Sequence, residues 1–172
     1  HGLRLRDRMV AALPSLAPFA ARMPMLANLL NTFAPFRSAR ERFLGLAADR
    51  PLPAWRSDRF QDSEAASITP ATPRGEVYLL ADTFNRYFEP ENLRSALRVL
   101  AAAGYRAIIP TTTGRPLCCG RTYLAAGQVD KARAEARRMM DHLAGDRPVI
   151  GLEPSCLMTL RDAFRSLLPG AE

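Results

Sequence analysis

The sequence predicts an α/β fold: a small parallel sheet covered by helices, preceded by a helical segment and an extended linker. Two observations lead there. From Glu76 onward, short apolar runs alternate with stretches of helical periodicity, the pattern of strands joined by crossover helices. Over the first fifty residues, by contrast, apolar positions recur at steps of three and four between prolines, which reads as short helices. The divisions that follow are a helical segment over 1–50, a linker over 51–75 and an α/β unit over 76–172.

Taken in order, "LRDRMVAAL" (5–13) and "MLANLLNTF" (25–33) are the expected front helices. "DRPLPAWRSDRFQDSEAASITPATPRG" (49–75) is rich in Pro, Ser, Thr and charge and reads as extended chain. A linker this long inside a compact domain is unusual, so it is expected to wrap over a surface or join two parts. "EVYLLAD" (76–82) suits a strand buried on both faces. "PENLRSALRVLAAAG" (90–104) carries Leu93, Ala96, Leu97, Leu100 and Ala101 on one helical face. Gly104 stands where a helix end takes a left-handed residue. "YRAIIP" (105–110) is the second strand, and "DKARAEARRMMDHLAG" (130–145) a helix facing inward through Ala132, Ala136, Met139, Met140 and Leu143. "PVIGLE" (148–153) is the third strand, and "SCLMTLRDAFRSLL" (155–168) a last helix with Leu157, Leu160, Phe164 and Leu168 inside.

This order places the chemistry. In open parallel sheets, sites form outside the carboxyl ends of the strands. Asp82–Thr83, the loop 111–120 and Glu153–Cys156 all fall at such ends. Cys118, Cys119 and Cys156 are the three cysteines of the chain, and all lie in two of those loops. Neighbouring thiols gain little from core packing, because they point in different directions. Cys156 is expected in the first turn of the last helix, after Pro154, where unpaired N–H groups and the helix dipole favour thiolate. Thiolates bind soft or borderline metals and iron–sulfur clusters. Joined by Glu153, the three could hold zinc or a cluster, with sulfurs within roughly 4 Å of one another for metal–sulfur bonds of about 2.3 Å. The alternative is that they are small, buried, inert residues lining a loop. Arg115 and Arg121 either stabilise thiolates or are solvated loop charges. His142 reads as a capping or surface residue, and Met139–Met140 as core.

Composition excludes other classes. The chain has 172 residues, 48% of them hydrophobic and 24% charged, ordinary for one globular domain. No uninterrupted apolar run approaches the ~18–20 residues of a membrane span. The N-terminus lacks a signal-peptide layout, and a chain starting at His1 without an initiator Met reads as a piece of a longer protein. The formal charge is +7, with Lys131 the one lysine among 24 basic residues. Basic residues concentrate toward the front, but without interleaved aromatics, so no nucleic acid is expected as a partner. "LCCG" is not the CxxC of thiol exchange, and "TTTGRPLCCG" lacks phosphate-loop spacing. Three cysteines do not suggest a secreted disulfide framework.

The run "DTFNRYFEPE…ALRVLAAAGYRAIIP…LCCGRTYLAAGQVDKAR…PVIGLEPSCLMTLRD" resembles the cysteine-rich, or CCG, domain. That domain occurs in the heterodisulfide reductase B subunit, the glycolate oxidase iron–sulfur subunit and related lactate-utilisation proteins. The resemblance covers 76–168 and is nearest to large fused proteins, where a D-lactate/glycolate-type FAD dehydrogenase domain precedes a ferredoxin-like segment and CCG domains. It implies an electron-transfer role between flavin and an acceptor such as a quinone. FAD would sit in the parent protein only, and the partners would be the parent's FAD-binding and ferredoxin-like domains. Cys118, Cys119 and Cys156 would ligate a 4Fe–4S cluster, Gly120 would let backbone approach it, and zinc is the alternative metal. Two family cysteines are replaced here, the first by Thr83 and the first of the Cys-x-x-Cys pair by Glu153. A scaffolding domain with a degenerate cysteine site is the competing expectation. The implied location is cytoplasmic, or peripheral at the inner membrane, with no transmembrane segment.

Overall fold

The computed structural model describes residues 2–110, 112, 114–143 and 145–169. Thr111 and Thr113 of the predicted loop, Ala144 near the end of the predicted 130–145 helix, and residues 170–172 lie outside the described residues. The front segment forms four helices, α1 (Leu5–Ala11), α2 (Leu13–Ala20), α3 (Pro24–Thr32) and α4 (Ala34–Leu44). After it come α5 (Glu64–Ser67), β1 (Gly75–Leu80), α6 (Thr83–Tyr87), α7 (Pro90–Ala102) and β2 (Tyr105–Ile108). The remainder is α8 (Arg121–Ala125), α9 (Val129–His142), β3 (Val149–Gly151), α10 (Pro154–Met158), a π-helical turn (Thr159–Ala163) and α11 (Phe164–Leu167).

The predicted α/β class is the observed one: a three-stranded parallel sheet in the order β2-β1-β3, flanked by helices. Tyr78 of β1 stands opposite Ile108 on one side and Val149 on the other. Because β1 is central, its side chains alternate between two cores. Leu79 and Ala81 pack with Leu93 and Leu97 of α7 and with Ala107 and Ile109. Leu80 packs with Ala132, Ala136 and Met139 of α9, with Phe164 and Leu167, and with Leu117 and Cys119. That is why Val77–Leu80 carry no charge: this stretch is buried on both faces, and the one charged residue of β1, Glu76, stands at its half-exposed start and pairs with Arg147 at 3.0 Å. Gly104, at φ 87°, takes the left-handed position after α7 as its sequence position predicts.

Two inward faces differ from expectation. On α9, Met140 is exposed and Glu135 is buried, because Glu135 finds cationic partners inside. In the last helical stretch Thr159, Phe164 and Leu167 are buried, while the predicted Leu160 and Leu168 pack half-buried against the same core. The π-helical turn adds a residue to that turn, which moves the downstream phase by about one position.

Residues 51–75 lie as a strap over the α/β unit. The backbone N–H groups of Arg56 and Phe60 donate to the carbonyls of Tyr87 and Arg86, at 3.1 and 2.9 Å. Phe60 is fully buried in the α7-side core, and Trp55 packs on Phe88 with ring centroids 4.5 Å apart. Arg94 of α7 holds the strap electrostatically: Nε donates to Glu64 at 2.7 Å, and Nη2 to the Asp58 carbonyl at 2.7 Å. Its hydrogen bond holds the Glu64 carboxyl below the usual carboxylate range.

A group with a depressed folded pKa stabilises the fold above its unfolded pKa and loses that contribution as pH falls through the folded value. Arg94→Leu should therefore destabilise the chain by about 1–2 kcal/mol near neutral pH. Between about pH 5 and 3 the variant should lose less stability than the parent chain. Urea unfolding followed across that range reads both effects.

Candidate functional site

The site lies where the strand order makes room for it. With β1 between its two partners, the chain leaves β1 toward β2 and later returns on the opposite side to β3, so the loops after β1 and β3 diverge at their carboxyl ends. A cavity of about 60 Å³ opens there. Its wall takes Asp82 and Thr83 from the end of β1, Leu117, Cys118 and Cys119 from the loop after β2, and Ser155 and Cys156 from the loop after β3. The three loops predicted to converge do converge. Pro14 of α2 also lines the cavity, so the front segment contributes to this site.

Each cysteine has its own positioning device. Cys118 and Cys119 end a loop whose next residue, Gly120, has φ 76° and begins α8. A Cβ at Gly120 would lie 2.9 Å from the Ala132 carbonyl oxygen and 3.0 Å from Glu135 Cβ. The close backbone approach at this glycine is thus to α9. Upstream, Arg115 pairs with Glu135 through both carboxylate oxygens, Nη1 donating at 3.0 Å. Arg138 donates to Glu135 at 3.2 Å, to the Pro116 carbonyl at 3.0 Å and to the Arg115 carbonyl. Arg115 therefore serves the loop's anchorage, and Arg121 lines the cavity. His142 Nδ1 donates at 2.8 Å to the Arg138 carbonyl within its own helix.

Cys156 sits in the first turn of α10, which starts at Pro154 as expected. Its Sγ lies 3.2 Å from that of Cys119. Cys118 shares a side-chain hydrogen bond with Cys119, and its sulfur accepts from the Gly120 N–H at 3.4 Å. Cys118 and Cys119 are buried and Cys156 is half-buried. All three sulfurs belong to one cluster. The site of ionisation differs from expectation: hydrogen bonds from the Cys118 and Cys156 thiols and the Arg121 N–H hold the Cys119 thiol well below the usual range. Those same bonds, with burial, push Cys118 and Cys156 upward. One central sulfur with two donors is electrostatically better placed than a thiol at the start of a five-residue helix.

The two oxygen-bearing positions behave differently from a ligand set. The Glu153 carboxylate accepts from the Ser155 N–H at 3.2 Å and caps α10. Thr83 is buried on the cavity wall as the first residue of α6. Among the described residues, no group of three His, Cys, Asp or Glu side chains is disposed to hold a metal ion by itself. The donor chemistry nevertheless fits a soft centre. Tetrahedral thiolates on bonds of about 2.3 Å stand roughly 3.8 Å apart, so Cys119 and Cys156, at 3.2 Å, would move apart by about 0.6 Å to share a metal.

Asp82 is a site residue that sequence reasoning placed only at a strand end. Its carboxylate accepts from the N–H groups of Phe84 and Asn85, at 2.9 and 3.1 Å, and from Asn85 Nδ2 at 2.6 Å. Burial pushes it upward. The signal was available in "DTFN", an N-cap residue type directly after an apolar strand. Arg86, also on the wall, pairs with Asp62 at 2.7 Å; nothing in its spacing marks it.

Glu135→Ala should cost about 3–5 kcal/mol, since it leaves two guanidinium groups without their buried counter-charge. Gly120→Ala should cost roughly 2 kcal/mol or more, from a left-handed backbone and a contact with helix backbone that cannot give way. Chemical denaturation measures both, and thiol titration of the native variants should show the cysteines newly accessible.

No protein-family model matches the chain, and no solved structure matches it. The D-2-hydroxyglutarate dehydrogenase of Escherichia coli (strain K12) is 21% identical over 178 residues, covering 95% of this chain. The chain spans 17% of that relative's length. What it shares with the relative is therefore one segment of a much longer enzyme.

Proposed function

We propose that the chain is the iron–sulfur electron-transfer part of an FAD-linked 2-hydroxy-acid oxidoreductase of the D-lactate/glycolate dehydrogenase type. The observation that carries this reading is the gathering of all three cysteines, with Cys119 and Cys156 sulfurs 3.2 Å apart, at the carboxyl edge of the sheet. The similarity to a hydroxy-acid dehydrogenase over nearly the whole chain supports it, as does the resemblance of 76–168 to the CCG domain.

In this reading Cys118, Cys119 and Cys156 hold the centre, which when bound supplies one-electron chemistry to an otherwise redox-inert wall. Leu80, Ile109, Leu117 and Met139 line the same cavity and keep the surroundings of low dielectric, a factor that tunes a centre's potential. Asp82 and Glu153 fix the starts of α6 and α10 by capping, and so set where Thr83 and Cys156 stand. Arg121, on the wall, offers positive charge to an anionic centre. FAD and the oxidised substrate belong to other domains of the parent protein, and electrons leave to an acceptor of the quinone kind.

One observation favours a second reading. With Glu153 occupied as a cap and threonine at position 83, three of five family ligands remain, which suits a structural zinc site or a scaffolding domain.

Anaerobic reconstitution with iron and sulfide separates these readings. The chain should take up both and gain visible absorption, and the triple variant Cys118→Ser, Cys119→Ser, Cys156→Ser should retain less than about a tenth of that iron. Failure to take up iron, or equal uptake by the triple variant, rejects the electron-transfer role. Tight zinc binding in parallel without iron uptake selects the second reading.

A further inference from the structure

The front helices pack in an unusual sense. On α3, Met25, Leu26, Leu29 and Leu30 share one face by helical spacing, and all four are exposed, Met25 at 86% and Leu29 at 54%. The opposite face is polar or small and is the one that packs. Asn28 donates to the Trp55 carbonyl at 2.9 Å and accepts from the Trp55 N–H at 2.8 Å. Neither α3 nor α4 buries a single residue fully. Phe43 is 74% exposed and Phe19 65%, with Leu5, Met9, Val10, Leu16, Met23, Phe33 and Phe36 also out in solvent. Scattered apolar residues need no explanation, but a concentration on consecutive helices marks an interaction face.

The charge around this face has one sign. Residues 1–60 hold ten arginines against Asp7, Glu41, Asp49 and Asp58, which accounts for six of the seven net positive charges. From Met9 through Arg40 there is no carboxylate side chain at all. Among the described residues, Arg4, Arg8, Arg22 and Arg42 form no ion pair, while Arg22 stacks over Phe19 at 5.3 Å. At the junction of α1 and α4 a cleft of about 350 Å³ is lined by Leu5, Phe43 and Leu44 together with Arg4 and Arg6.

We propose that α1–α4 form a peripheral docking face for an anionic lipid bilayer. Leucine, methionine and phenylalanine side chains on short helices, with unpaired guanidinium groups beside them, match the headgroup–acyl boundary: apolar area enters the acyl region while arginines meet lipid phosphates. The run free of carboxylates removes the repulsion that an anionic surface would otherwise meet. A protein partner would need a shaped apolar surface of matching negative charge; a bilayer needs only the two chemistries present here. This inference is independent of whether the cysteines hold a metal.

The test is cosedimentation of the 172-residue chain with vesicles of phosphatidylcholine alone, or with about a quarter of phosphatidylglycerol. Binding should be at least about tenfold stronger to the anionic vesicles and fall at high salt. Leu29→Gln with Leu30→Gln should weaken it about tenfold without changing far-UV circular dichroism, since those side chains are already exposed. Arg22→Gln and Arg42→Gln should cost roughly fivefold each. Equal or absent binding to both vesicle types overturns the proposal. So does an effect of the leucine substitutions confined to a monomer–dimer equilibrium in sedimentation velocity, which would assign the face to a second copy of the chain.

Discussion

A single buried carboxylate organises the half of the molecule that carries the cysteines. Glu135 sits inside α9 where an alanine or leucine would be expected, and it is neutralised from two directions, by Arg115 of the loop and by Arg138 one turn along its own helix. Taking such a charge out of water costs several kcal/mol unless partners surround it, and here the partners do more than neutralise. Arg138 also donates to the carbonyls of Arg115 and Pro116, so the loop's backbone is satisfied by the same group that balances the carboxylate. With Gly120 pressed against the Ala132 carbonyl, the segment from Arg115 to Gly120 is fixed at both ends. Cys118 and Cys119 lie between those anchors.

The sheet supplies the other half of the geometry. Three short strands are too few to enclose a site, but their order places the ends of β1 and β3 side by side with diverging connections. Two capping carboxylates then convert strand ends into helix starts: Asp82 opens α6 and Glu153 opens α10. The cost of using Glu153 this way is that its Oε1 serves the Ser155 N–H, leaving sulfur as the dominant donor at the site. Because Cys119 stands between the other two thiols, negative charge concentrates on the sulfur with the most donors, which is the arrangement a soft cation would replace.

The two regions outside the sheet are stabilised in different ways. The strap over 51–75 buries aromatic area, through Phe60 and Trp55, and is clamped by Arg94. The front helices hold on through small residues: Ala11 in the α9-side core, and Ala17 and Ala21 against Tyr87. Single hydrogen bonds, such as Ser15 to Tyr123 at 2.8 Å and Thr122 to the Ala11 carbonyl at 2.9 Å, complete the attachment. Small residues allow close backbone approach but bury little apolar area, so the large side chains of those helices remain outside.

Much of this was legible in the residues alone. Periodicity of two kinds, apolar runs and three-to-four spacing, determined the parallel α/β class, its three strands and the helices before and after them, because burial on both faces or on one stripe leaves its mark on every position. The same order implied that Cys118, Cys119 and Cys156 would meet, since they follow strand ends. The short helices α6 and α8 and the inward turn of Glu135 were not legible in this way. Each depends on a partner distant in sequence or on a cap lasting only a few residues, too short to show a period. Nor could spacing show that Glu153 would spend its carboxylate on its own helix, or that α3 would pack through Asn28 and expose its leucines. Local pattern records which residues can be buried. Only the folded chain decides which charges find each other and which apolar faces are left without a partner, because those outcomes are set by contacts between segments far apart in sequence.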